Sequence, residues 1–178
     1  MKEYVSVDVE TTGLAPKQDK IIEIGAVRVR DGQIVGSFTS FVNPGRILPA
    51  HITELTGILQ EQVDEAETME SVLPAFLEFA GDLPLMGHRI LFDYGFLKRA
   101  AVNMRLDFER SGVDTLKLSR QFLSELPSRR LSALCEHFEI PIQAHRALED
   151  ARATHILYEK LLELYGTGPD RAKDFEPV

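Results

Sequence analysis

Apolar and polar positions alternate along Tyr4–Leu14, YVSVDVETTGL, where Val5, Val7 and Val9 read as a β-strand ending at Thr11-Thr12-Gly13. The next run, KIIEIGAVRVRDGQIVGSFTSFVNP, reads as a hairpin because two β-rich segments flank Asp31-Gly32, a short-range turn signal. ITELTGI is a short helix or turn, and MESVLPAFLEFAG has the apolar period of a helix stopped by Gly81. LPLMGH reads as a short apolar strand, and DYGFLKRAAVNMRL is amphipathic. Two further helices are expected in DTLKLSRQFL, with Asp114 as N-cap, and in RRLSALCEHFEI. A last helix runs from about Ala147 to Tyr165, and the polar tail after Gly166 is expected to be loose. Strands come early and helices late, which predicts an α/β fold with a mixed sheet and helices on its faces.

At 178 residues the chain is expected to form one domain over residues 1–166, followed by a flexible tail over 167–178. No signal peptide and no apolar run near membrane-spanning length is evident, so a soluble cytoplasmic protein without a membrane partner is expected. The single Cys135 cannot form an internal disulfide and reads as a small core residue, in agreement with a reducing compartment. A net charge of −8 argues against binding nucleic acid through bulk positive charge. The distribution is uneven, however, with residues 1–88 at −8, 89–130 at +4 and 131–178 at −4. A basic middle permits a polyanion to be gripped locally.

The first strand raises a chemical question. Side chains two apart on a strand share a face, so Asp8 and Glu10 point the same way, roughly 7 Å apart. Burying two unpaired carboxylates costs several kcal/mol each. They must emerge at a solvated strand end, meet basic partners or hold a cation. Asp93 follows a short strand at the entrance to a helix, as an N-cap or as a ligand. Asp150 shares a helix face with Ala147, Ala151 and Thr154, a small-residue surface able to lie close against a sheet. His145 precedes Asp150 by five residues. On one helix the two would diverge by about 140°, so they converge only if His145 lies on the loop before the helix.

Together these segments carry a resemblance. VDVETTGL, GHRILFDYGFL, VDTLKLSR and HRALEDARAT resemble, in order and spacing, the motifs of the DnaQ-like 3′–5′ exonucleases of the DEDDh branch, over residues 4 to 165. The likeness is nearest to the epsilon proofreading subunit of bacterial DNA polymerase III and to related polymerase exonuclease domains. It implies a ribonuclease H-like fold, with a central mixed five-stranded sheet flanked by helices. Asp8, Glu10, Asp93 and Asp150 match the family's metal-binding acids, and His145 its general base. Two ions, Mg²⁺ or Mn²⁺, are implied, because hard carboxylate oxygens suit them and two cations stabilise the attacking and leaving oxygens of a phosphodiester.

The resemblance also implies that Thr11, Thr12, Gly13 and Leu14, with Thr56 and Ile58, embrace a terminal nucleotide, with His88 and Phe96 close by. For Leu14, Ile58 and Phe96 core packing is the alternative, and His88 equally suits a satisfied core histidine. Lys98, Arg99 and Arg105 are candidates for backbone phosphates or for a solvated helix face. One departure stands out: the family commonly has Asn after the histidine of the second motif, where this chain has Arg89. The function implied is metal-dependent 3′–5′ exonuclease action on single-stranded DNA or a frayed 3′ end, releasing nucleoside 5′-monophosphates in replication or repair. With no polymerase segment in view, proofreading is expected to need docking on a polymerase subunit. The alternative is an RNA-trimming exoribonuclease of the RNase T or oligoribonuclease type with RNA as partner, since the catalytic set is shared.

Overall fold

The computed structural model describes residues 1–143 and 145–165. The tail expected to be loose lies outside the described residues. Five strands form one mixed sheet: β1 (Glu3–Thr11), β2 (Ile21–Arg30), β3 (Gln33–Phe41), β4 (Leu85–Gly87) and β5 (Gly112–Asp114), in the order β3-β2-β1-β4-β5. The hairpin forms as predicted, with Asp31 and Gly32 both in the left-handed region that a two-residue turn between twisted strands requires. β1 pairs antiparallel with β2 and parallel with β4, which in turn pairs parallel with β5.

Alternation along β1 divides the protein into two layers. Val5, Val7 and Val9 are buried on the face covered by α3 (Met69–Ala80) and α4 (Ile90–Asn103), together with Phe76, Ile90 and Leu97. Tyr4, Ser6, Asp8 and Glu10 face the other layer, formed by α5 (Thr115–Phe122), α6 (Leu131–His137) and α7 (Ala147–Tyr165). Each buried valine contributes roughly 1.5–3 kcal/mol, so slipping β1 by one residue, which would bury Asp8 and Glu10 in their place, is strongly disfavoured. The chain thereby fixes which side the acids face.

Helix α7 runs back along β1. Tyr4 Oη meets His155 Nδ1 at 2.7 Å, and Ser6 Oγ donates to the Ala151 carbonyl at 2.8 Å. Gly25 lies opposite Asp8 in the β1–β2 register, and a Cβ placed on it would come within 2.0 Å of Leu148 N and 2.2 Å of the Ala147 carbonyl carbon. The first turn of α7 therefore rests directly on the strand backbone. The small-residue face read from Ala147, Ala151 and Thr154 is fully packed here, at 1% exposure or less. Cys135 is also a buried core residue, and burial pushes its thiol up to about 11, as suits an inert packing group.

Two elements were not anticipated. The one-turn helix α2 (Gln60–Asp64) and the three-residue β5 are too short to show a period. The remaining helix, α1 (Ala50–Thr56), ends at Gly57 in a left-handed cap.

Because no side chain can be relieved where backbone meets backbone, Gly25→Ala is expected to destabilise the domain by at least about 3 kcal/mol. A urea-denaturation midpoint equal to that of the parent would contradict the close contact.

Candidate active site

The acids converge at the C-terminal end of β1. Beyond Met86 the short β4 no longer pairs with β1, and farther along β1 the carboxylate of Asp93 meets the strand: its Oδ1 accepts from Val9 N at 2.9 Å. Asp93 is thus held in the first turn of α4, 3% exposed, with its side chain bonded to β1. It does not cap its own helix, because α4 begins three residues earlier than the amphipathic run suggested. The N-cap position belongs to Arg89, whose φ of 73° is left-handed.

His145 lies before α7, as its divergence from Asp150 on a continuous helix requires. Its φ of 65° is unusual for a side-chain-bearing residue. The conformation lets its backbone N–H donate to Asp150 Oδ2 at 3.0 Å. Among the described residues, Glu10, His145 and Asp150 offer ligand atoms that all lie within 4.8 Å of one another. Asp150 Oδ1 is buried without a hydrogen-bond partner among the described residues.

Electrostatics mark the same place. Burial, then repulsion from Asp93, Asp150 and Glu10, raises the Asp8 carboxyl well above the ordinary carboxylate range. Burial first, then Asp150, Glu23 and Asp93, raises Glu10 to about 8, with Arg146 opposing. Burial raises Asp93 to about 8 against the pull of the Val9 N–H, and Asp150 to about 6 against the His145 N–H. A buried orphan oxygen amid acids too crowded to ionise together fits a bound divalent cation: oxygen donors suit Mg²⁺ or Mn²⁺.

One residue of this arrangement escaped the sequence reading. Glu23, 1% exposed on β2 and opposite Glu10, accepts from Arg146 Nη2 at 3.0 Å and from Ala147 N at 3.1 Å. Arg146 also lies over the Phe41 ring, 5.4 Å from its centroid. Glu23 therefore caps α7 and anchors the residue next to His145. A lone acid inside the apolar run IIEIG was the available signal.

The expected nucleotide contacts divide. Leu14 is 82% exposed at the tip of a loop braced by Thr12 N donating to the Lys20 carbonyl and by Thr11 Oγ1 donating to the Gly13 carbonyl. Thr11 and Thr12 themselves are buried. Four of the expected side chains are engaged within the protein. Ile58 and Phe96 are packed into apolar clusters, because both lie on inward faces. Thr56 Oγ1 donates to the Ile52 carbonyl and accepts from Ile58 N, closing the end of α1. His88 has both ring nitrogens engaged, by Thr115 Oγ1 at 2.9 Å and the Arg129 carbonyl at 2.8 Å, and burial lowers its pKa. Of the possible phosphate ligands, Lys98 is paired with Glu109, whereas Arg99 and Arg105 are exposed.

The RNase T exonuclease family model matches residues 5–158. The chain belongs to the exonuclease family. Its members are hydrolases of nucleic acids. Among its relatives is the PolC-type DNA polymerase III of Caldanaerobacter subterraneus, 44% identical over 162 residues, which cover 90% of this chain and 12% of that protein. A Mycobacterium tuberculosis protein named for paired exonuclease and endonuclease functions is 43% identical over 173 residues, 92% of this chain and 27% of its own length. This exonuclease domain thus spans about a tenth to a quarter of those relatives. Among solved structures, exonuclease X in complex with 5′-overhanging duplex DNA superposes with a TM-score of 0.77 at 25% identity, over 96% of this chain and 98% of that one. The nuclease domain of 3′hExo, a DEDDh family member bound to rAMP, superposes at 0.76 and 22% identity, over 91% and 92% of the two chains. Both share the ribonuclease H-like fold. Among the described residues no helix is long and apolar enough to cross a membrane.

Raised carboxyl pKa values mean that the folded protein binds more protons than the unfolded chain between about pH 4 and about pH 8. The metal-free domain is therefore expected to lose stability as pH rises through that window. Mn²⁺, which needs the ionised acids, should stabilise it far more at the upper end. Thermal melts in EDTA and in Mn²⁺ across the window check this, and an EDTA series rising with pH would refute it. Glu23→Ala should cost about 1–3 kcal/mol by leaving Ala147 N and Arg146 unpaired, measurable in the same melts.

Proposed function

We propose that this domain is a metal-dependent 3′–5′ exonuclease that removes nucleoside 5′-monophosphates from the end of a DNA strand. The observation that carries the reading is the convergence of Glu10, His145 and Asp150, beside Asp8 and Asp93, around an unpartnered buried carboxylate oxygen. Asp8, Glu10, Asp93 and Asp150 would hold two Mg²⁺ or Mn²⁺ ions. When bound, such ions supply charge stabilisation to the attacking and leaving oxygens of the phosphodiester.

The protein's own groups account for the rest. His145, exposed at the mouth of the site, takes the proton from the attacking water as the new O–P bond forms. The bond from phosphorus to the 3′-oxygen of the preceding nucleotide breaks, leaving a shortened strand with a 3′-hydroxyl and a free 5′-monophosphate. Asp150 orients the histidine loop through the His145 N–H, and Glu23 with Arg146 secures that loop from the other side. Leu14 offers an apolar edge to the terminal base, a contact indifferent to base identity.

The relationship to PolC-type polymerases supports a proofreading role, in which the domain acts on mismatched 3′ ends beside a polymerase active site. The catalytic set does not distinguish 2′-deoxyribose from ribose, so DNA and RNA belong in one experiment. On matched 5′-labelled single strands, a DNA ladder that needs Mg²⁺ or Mn²⁺, vanishes in EDTA and falls by about 10²–10⁴ in rate with His145→Ala is expected. Preferential shortening of RNA would reassign the domain to RNA trimming. Shortening of neither strand with metal present would overturn the enzyme.

A further inference from the structure

A trough of about 830 Å³ opens beside the proposed active site, and its chemistry differs from that of the acidic centre. It begins at Leu14, just past the end of β1, and is walled by Arg89, Leu91 and Phe92 from the start of α4 and by Lys117 and Arg120 from α5. Arg89 immediately precedes the α4 turn that carries Asp93, and Leu14 follows the strand that carries Asp8 and Glu10, so the trough and the acids are built on the same two elements.

Three cations line it. The acid among its lining residues, Asp114, is 5% exposed, and its Oδ1 accepts from Arg89 N and Leu116 N at 2.9 Å each. That oxygen shapes the wall by tying Arg89, in its left-handed conformation, to the start of α5. The Arg89 guanidinium lies over the Phe92 ring, 6.0 Å from its centroid. Leu14 at 82% and Leu91 at 44% exposure supply apolar surface between the charges. Positive charge interleaved with exposed apolar and aromatic surface matches a single polynucleotide strand, whose phosphates alternate with bases that stack on any such surface. On a chain of net charge −8, seven of the nine lining residues come from the stretch carrying the +4 excess, which favours a polyanion here.

We propose that this trough holds the nucleotides immediately 5′ of the scissile phosphate, with Arg89 and Arg120 as their phosphate ligands. The assignment rests on the exonuclease reading and deepens it. Arg89, in place of the family's usual Asn, then adds grip on the strand without touching the metal site.

The test is the double variant Arg89→Asn with Arg120→Gln. Asn tolerates a left-handed backbone, and Arg120 is exposed on α5, so the fold should be kept; Arg120→Gln alone is the safer second variant. Binding of 5′-fluorescein octathymidylate is followed by anisotropy in EDTA over a series of KCl concentrations. With Mn²⁺, KM and kcat are measured on octathymidylate and on the p-nitrophenyl ester of thymidine 5′-monophosphate, which has no second nucleotide. Expected are about a tenfold loss of strand affinity and a salt slope shallower by about 1.4, at about 0.7 per lost phosphate contact. KM for the octamer should rise about tenfold with kcat within about twofold, the ester should be cleaved as before, and Arg120→Gln alone should give about a threefold loss. Unchanged affinity and slope would overturn the trough. So would equal losses on octamer and ester, which would place the effect at the cleaved nucleotide or in the fold. If the parent cleaves neither substrate while binding responds as expected, the trough stands and the exonuclease reading falls.

Discussion

The contact between the first turn of α7 and the backbone at Gly25 is the constraint on which the site depends. It places Asp150 against the end of β1 where Asp8 and Glu10 already point, with each β1 residue on that face matched to a point along α7. The cost of that placement is electrostatic. At an effective dielectric of about 20, two carboxylates within the 4.8 Å that brackets Glu10 and Asp150 would repel by more than about 3 kcal/mol if both were ionised, and burial with this repulsion raises Glu10 to about 8. Packing on the opposite face of β1 must bear this load, and the valine alternation there is what makes the strand register resist it. The domain is stable around the acids because the apolar layer does not let them separate.

That division explains which features were legible in the sequence. The period-2 alternation of β1, the Asp31-Gly32 turn, the Gly81 stop and the Ala147–Tyr165 helix are local signals, and the structure reproduces all four. The separation of His145 from the helix followed from elementary helix geometry, and the loop conformation agrees. Glu23 and Gly25 were less visible, since their importance lies in what meets them from more than a hundred residues away. The surroundings of the expected nucleotide contacts were hard to read for the same reason. Whether Phe96 or His88 faces a cleft or a neighbouring helix depends on tertiary packing, which neither residue type nor spacing encodes.

The protein combines two electrostatic demands that conflict on a single small domain. A phosphodiester must approach a cluster of carboxylates, yet a cluster of unneutralised acids repels it. On the proposed reading divalent cations would resolve the conflict at the point of reaction, but over short range, and salt at physiological strength screens exposed charges beyond about 8 Å. The strand leading to the reaction must therefore be held by groups of its own. The segregation of positive charge into residues 89–130, beside the acids and separate from them, meets that need. Asp114 illustrates the economy of the arrangement: a carboxylate on the wall of a polyanion path is acceptable because two backbone N–H groups occupy the oxygen that faces Arg89 and α5.

Residue 89 connects these demands to the fold. A left-handed residue is required where the chain leaves β4 and turns into α4, and Asn satisfies that backbone geometry with little strain. Arginine pays a steric cost for the same conformation, typically about 1 kcal/mol or more. The N–H bond to Asp114 offsets part of it by fixing the turn, and the guanidinium is left over the Phe92 ring at the edge of the trough. Backbone strain accepted for a side chain that contributes nothing to the core is better explained by what the side chain reaches than by what it stabilises. In this fold what it reaches is the trough proposed to hold the strand.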